Sequence, residues 1–318
     1  MSSSGTMYTK SMLLQHDHRI GVIAGILATV GWSGTGIFVY LLSNVSPIVV
    51  ICGRFTIASV MGAVLLILHP KTLRGLYTAT SSATSWALSL FLVAYYFLSV
   101  FAFQYAPVST VSLLISTSPA FIVVIDGLSK QVLSNIQKTA AGFAFFGIIV
   151  VVIPSTPDFQ NTSSNYVGAT LALGGACVMA LYALLYRHLS IRKLAPSPLV
   201  IGVQTAVSGA LLSALLLLHQ ASELRITALT IKDLNLLIGL GLVSTVIPSI
   251  SYGVAAVRLA PIVLTTIRSS TPIGAAILAF IILDESPRIE FYFGASFILS
   301  AMLLQTIDGM RAVGSSQT

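Results

Sequence analysis

The chain has 318 residues; 56 % are hydrophobic and 8 % charged, with 16 Lys and Arg against 9 Asp and Glu and a formal net charge of +7. A soluble domain carries about 25 % charge, so this composition leaves too few polar groups to coat a water-facing surface. It excludes a soluble enzyme, a nucleic-acid binder and a disordered chain, and the basic excess reads as loop charge on one membrane face.

In chain order, a polar, Ser-rich head over 1–18 reads as a disordered tail. Ten apolar stretches follow: 20–42, 47–68, 84–105, 108–128, 135–153, 166–187, 198–219, 234–257, 261–283 and 289–307. They are numbered spans 1 to 10. Each approaches the ~20 residues that cross a hydrocarbon core about 30 Å thick at about 1.5 Å per residue. A β-barrel is excluded, because its strands would show segments of about ten alternating residues. Span 1 is too long for a cleaved signal peptide and lacks a small-residue cleavage site, so it is read as a span that stays. Spans 3 and 4, and spans 8 and 9, are joined by Tyr105-Ala106-Pro107 and Leu259-Ala260-Pro261, tight antiparallel turns. The polar end over 308–318 reads as a second disordered tail.

Placing the N-terminus inside and alternating through ten spans puts eleven of the 16 basic residues on the cytoplasmic side and three outside; Arg54 and Arg268 lie within spans. The positive-inside rule favours this orientation, with both termini cytoplasmic and the protein in the plasma (inner) membrane.

The segment 154–165 is the most polar linker and divides the spans five and five. The halves echo each other. Span 4 runs from Ala106-Pro107 to Ser118-Pro119, and span 9 from Ala260-Pro261 to Thr271-Pro272, both rich in Ser and Thr. Because five is odd, the second copy sits upside down. Inverted repeats with interrupted helices mark transporters, whose substrate site lies near the midplane at the shared interface. The fold class expected is an all-α integral membrane protein, ten transmembrane helices as two inverted five-helix repeats around a central cavity. The expected units are 19–153 and 166–307.

Gly31-Trp32-Ser33 in span 1, Ser46-Pro47 and Arg54-Phe55 in span 2, the Ala-Pro/Ser-Pro helix of span 4, and Pro272 followed by Leu283-Asp284-Glu285 resemble the drug/metabolite transporter superfamily, EamA-like branch, over roughly 18–307. In that family an acid often follows the proline helix of each half. Here the second half has Glu285, while the first reads Leu128-Ser-Lys-Gln-Val132. The resemblance implies a carrier with spans 5 and 10 at the periphery, which assigns Gly142 and Gly147 in span 5 to packing.

An arginine deep in a bilayer is costly and normally faces protein or a water-filled cavity. Arg54 and Arg268 each lie seven residues inside a span, and no Asp or Glu lies mid-span; Asp126, at the inner end of span 4, is the nearest acid. Two deep cations without deep carboxylates suit an anionic ligand held by bidentate hydrogen bonds. For Arg54 the resemblance also implies a structural role, since the family commonly has Arg-Phe here: it would tie span 2 to backbone carbonyls or headgroups. Arg268 sits four residues before Pro272, which lacks an N–H and so leaves the carbonyl of residue 268 without its helical partner. The candidate substrate-binding set is Arg268, Arg54, Trp32, Tyr252, Ser116, Ser118, Ser269 and Thr271, with Pro119, Pro272 and Pro248 as hinges. Tyr95, Tyr96, Tyr182 and Tyr186 also lie inside spans.

The expected function is secondary, non-ATP transport of a small organic solute by alternating access, as metabolite or amino-acid efflux of a carboxylate-bearing substrate. An exchanger of phosphorylated metabolites and a drug exporter are the alternatives. Nothing favours an enzyme: no Gly-x-Ser-x-Gly, no His-Glu-x-x-His, no intramembrane acid pair. Cys52 and Cys177 stand alone in apolar stretches, so no disulfide, metal site or cofactor is expected. The expected partners are a small-molecule substrate and membrane lipid, with no nucleic acid. Gly21 and Gly25 form a GxxxG that permits close packing within a monomer or between the copies of a homodimer.

Overall fold

The computed structural model describes residues 3–68, 70–129, 132–152, 159–220, 229–259 and 261–315. Among these there is no strand. Ten helical segments are long and apolar enough to cross a membrane: His18–Leu41, Pro47–Leu68, Ala83–Tyr105, Val108–Leu128, Asn135–Val152, Ser163–Ile191, Pro198–His219, Ile231–Ala256, Val263–Leu283 and Ile289–Asp308. They reproduce the ten expected spans with ends shifted by a few residues.

Two ends differ from expectation. The helix of span 1 is Ser3–Ser33 and that of span 10 is Ile289–Ser315, so 3–18 and 308–315 continue helices rather than forming loose tails. The helix of span 6 is Phe159–Ile191 and absorbs the second part of the expected linker; 154–158 and Lys130 lie outside the described residues. An additional helix, Pro70–Thr80, joins spans 2 and 3.

Four spans are interrupted. Span 4 consists of Val108–Ile115 and Ser118–Leu128, span 9 of Pro261–Ser269 and Thr271–Leu283. In both, proline is the second residue of the later helix, where its missing N–H costs nothing. Span 8 is Ile231–Gly241, a π-helical stretch Leu242–Val246, and Ile247–Ala256 with Pro248 near its start. Span 1 breaks at Gly34 and resumes as Thr35–Leu41, a break that no proline announces.

The packing carries the repeat. The most extensive contacts pair spans 5 with 10, 3 with 6, 2 with 7 and 1 with 8, and span 4 also packs on span 9. Exchanging each span of one half with its counterpart in the other turns 1–8 into 6–3 and leaves 2–7, 4–9 and 5–10 as themselves. The set is therefore that of a two-fold relation between halves, and since each half has five alternating spans the two are inverted. Spans 5 and 10 meet backbone to backbone: a Cβ on Gly147 would stand 2.7 Å from the Gly294 carbonyl oxygen, and one on Gly294 2.7 Å from that of Gly147. Lipid gives no hydrophobic drive to helix association, so such small-residue approach does that work. Gly142, by contrast, meets nothing within 4 Å. Gly21 and Gly25 face Leu259 and Ile267, so the GxxxG packs span 1 inside the molecule.

The two ends of the bundle are packed unequally. Call the end holding both termini the tail end and the other the linker end. At the linker end one continuous core joins Val39 and Leu42 of span 1, Ile51 and Phe55 of span 2, Val100 of span 3, Val108 and Leu114 of span 4, Ala172 of span 6, Leu240 of span 8 and Ala279 of span 9. At the tail end the core divides into separate clusters. Ala24, Ala255, Leu259 and Leu264 gather spans 1, 8 and 9, while Leu88, Leu189 and Ile201 gather spans 3, 6 and 7.

Candidate functional site

Arg268 is exposed although it sits mid-span, at the end of the first helix of span 9. Its guanidinium carbon stands 5.6 Å from the Trp32 ring centroid and 5.9 Å from that of Tyr252, and the two rings are 5.4 Å apart at 51°. Tyr182 stacks on Tyr186 with centroids 5.9 Å apart. One cation thus faces the rings of Trp32 in span 1 and Tyr252 in span 8. Among the described residues no carboxylate lies within ion-pair distance of Arg268 or Arg54; Asp126 pairs with Arg187 at 3.7 Å.

Arg54 is placed differently. It is 1 % exposed. Its Nε donates to Thr245 Oγ1 at 2.8 Å, its Nη2 to the Ser244 carbonyl at 3.3 Å, and its guanidinium carbon lies 4.3 Å from the Tyr96 centroid. The chemistry of Pro248 accounts for the second bond. A proline at 248 leaves the carbonyl four residues earlier without an N–H, and that carbonyl is Ser244. Thr245 Oγ1 in turn donates to the Leu240 carbonyl at 2.9 Å, bridging the π-helical turn. Arg54 is therefore a bolt from span 2 into the irregular turn of span 8, with Nη1 alone lacking a partner.

The hydroxyls mostly serve the breaks. Ser116 Oγ and Thr117 Oγ1 donate to the carbonyls of Leu113 and Leu114, each at 2.6 Å. In span 9, Ser269 Oγ donates to the Thr265 carbonyl at 2.9 Å and Ser270 Oγ to that of Ile267 at 2.6 Å. Thr117 and Ser270 both stand two residues before their proline, so the bond repeats in both halves. The carbonyl of Arg268, expected to be free, accepts from Thr271 Oγ1 at 2.7 Å. Span 1 adds to this: Ser33 Oγ donates to the Thr271 carbonyl at 2.9 Å, and a Cβ on Gly274 would stand 2.6 Å from the Ser33 Oγ. Ser118 opens the second helix of span 4 and is half-buried.

Sequence reading named Arg268, Trp32 and Tyr252 in one candidate set, and the three side chains lie beside one another. It ranked Tyr95 and Tyr182 lower, because an in-span tyrosine carries no mark of which neighbour it faces. It missed what Glu285 touches: this carboxylate accepts from the backbone N–H groups of Val108 and Ser109 at 2.9 and 3.0 Å and from Ser109 Oγ. Among the described residues no cluster of His, Cys, Asp and Glu could hold a metal.

Comparisons with known proteins agree with this architecture. The model of the EamA-like transporter family matches twice, over residues 19–153 and 166–307, one match per half. No curated protein matches the sequence. A solved structure described as "Crystal structure of protein" superposes with a TM-score of 0.63 at 17 % identity, covering 92 % of this chain and 97 % of its own. That likeness shows a shared fold. With two copies of the family's unit covering nearly the whole chain, this integral, multi-pass membrane protein belongs to the EamA-like transporter family, membrane transporters of the drug/metabolite type.

Proposed function

We propose that the protein is a secondary carrier of a small organic solute bearing a carboxylate, working by alternating access in the plasma membrane with both termini cytoplasmic. The observation that carries this reading is Arg268: a mid-span cation, exposed beside Trp32 and Tyr252, with no carboxylate partner among the described residues. A guanidinium fork matches a carboxylate by two parallel hydrogen bonds, and the rings give an apolar wall for the remainder of the solute. Arg54 supports the site by bracing span 8 below Tyr252 rather than by meeting the solute. The breaks at Pro119, Pro272 and Pro248 are where the two halves bend as they rock about the midplane.

The test begins with a thermal-shift screen of the purified protein against metabolites, since a ligand that binds only the folded state raises apparent stability. The hit is then assayed in proteoliposomes. Arg268→Ala abolishes transport of the solute while the protein keeps its fold, and Arg268→Lys retains part of it. Full transport by Arg268→Ala removes Arg268 from the site. A flat response to an imposed pH gradient assigns exchange or facilitated diffusion.

A further inference from the structure

We propose that Glu285 is a one-sided latch: it holds the linker-end mouth shut, and the missing counterpart leaves the tail-end mouth as the one open at rest. Span 9 ends at Leu283, and Asp284 adopts the left-handed conformation (φ 52°), which lets the N–H of Glu285 bond back to the Ala279 carbonyl at 3.2 Å. That turn carries the chain sideways onto span 4. There the Glu285 carboxylate occupies the first turn of the helix Val108–Ile115, taking both backbone N–H bonds and the Ser109 hydroxyl. Those N–H groups have no intrahelical partner, and a helix N-terminus favours negative charge. The contact therefore satisfies polar groups that would otherwise be stranded as the mouth closes, and it joins the end of the second half's proline helix to the start of the first's.

The repeat defines where a matching latch would lie. Glu285 follows Pro272 by thirteen residues; thirteen after Pro119 stands Val132. Ser109 is two residues after Pro107; two after Pro261 stands Val263. Counted from the prolines both polar partners are thus valines, and Val132 is 99 % exposed; counted from the helix ends at Leu283 and Leu128 the counterpart of Glu285 is Lys130, again not an acid. The inequality of the latches coincides with the inequality of packing. The continuous core, with Val108 inside it, lies at the latched end, while at the other end the core is split into separate clusters. The inference extends the alternating-access reading and rests on it for its consequence, since a latch on one mouth biases a two-state carrier toward the other.

The test reads distances without any solute, so it stands or fails apart from transport. The full chain, with Cys52→Ser and Cys177→Ser, is placed in lipid nanodiscs with spin labels at Tyr105 and Ser286 for the linker end, or at Ser129 and Val257 for the tail end. The parent shows a single short linker-end distance. Glu285→Gln raises the long-distance population about tenfold, the scale of one lost charge-assisted hydrogen bond. Val132→Glu with Val263→Ser, at a site where an added carboxylate does not threaten folding, shortens the tail-end distance. Linker-end distances unchanged in both Glu285→Gln and Glu285→Ala overturn the latch. A tail end unmoved by the installed pair overturns its asymmetry.

Discussion

The bolt formed by Arg54 makes a prediction whose sign is not obvious. Arg54 buries a full charge at 1 % exposure, and an ion removed from water costs several kcal/mol even after relaxation. Against this stand the bonds to Thr245 and the Ser244 carbonyl and the face of Tyr96 at 4.3 Å. Interhelical hydrogen bonds in membranes average about 0.6 kcal/mol, and a desolvated cation–π contact is worth about 2 kcal/mol. Gain and cost nearly cancel, so Arg54→Met, which removes both, should shift unfolding by no more than about 1 kcal/mol. Thr245→Val is different. It keeps volume, leaves the cation buried and strips the acceptor from Nε, a loss of about 1–3 kcal/mol. Arg54→Lys falls between, because a compact ammonium lacks the planar fork that reaches both acceptors while lying over the ring. In the double variant Arg54→Met/Thr245→Val, the loss caused by Thr245→Val alone is largely recovered. Thermal and denaturant unfolding in nanodiscs measure all four. A Thr245→Val protein as stable as the parent, or an Arg54→Met protein less stable than Thr245→Val, refutes the argument.

Glycine contacts supply two further predictions. Gly31→Ala should lower the melting temperature by the equivalent of about 1–3 kcal/mol, the cost of overpacking, because its Cβ would stand 2.4 Å from Pro248 Cγ and 2.6 Å from the Val243 carbonyl oxygen. In the periphery, Gly294→Ala should destabilise, with its Cβ 2.3 Å from Val151 Cγ2, while Gly142→Ala, with nothing within 4 Å, should stabilise by about 0.5–1 kcal/mol through helix propensity. Melting curves of the two variants should therefore move in opposite directions.

The ten spans were legible because length and hydropathy are the requirements the bilayer imposes, and the breaks at Pro119, Pro248 and Pro272 because proline removes a donor wherever it sits. The repeat was legible because both halves must solve the same break, down to Thr117 and Ser270 donating to the carbonyls three residues before them. The break at Gly34 was not, since glycine is common in membrane helices and carries no obligation to bend them. Nor was the unequal packing of the two ends: lipid-facing and core-facing positions are both apolar, so pattern alone does not say which side Val39 or Leu240 presents. Arg54 and Arg268 looked alike in sequence, each seven residues inside a span. Only the position of Pro248 across the interface separates them, because it leaves a carbonyl for Arg54 to fill, whereas Thr271 fills the one at 268.

The most direct test of the proposed carrier site, in which the charge of Arg268 faces water and awaits a soluble anion, is the reactivity of a single cysteine at position 268. With Cys52 and Cys177 replaced by serine, Arg268→Cys in sealed proteoliposomes should react with a charged, membrane-impermeant thiol reagent from the tail side only. Reaction with lipid-soluble reagents alone would place Arg268 against the bilayer and contradict the account.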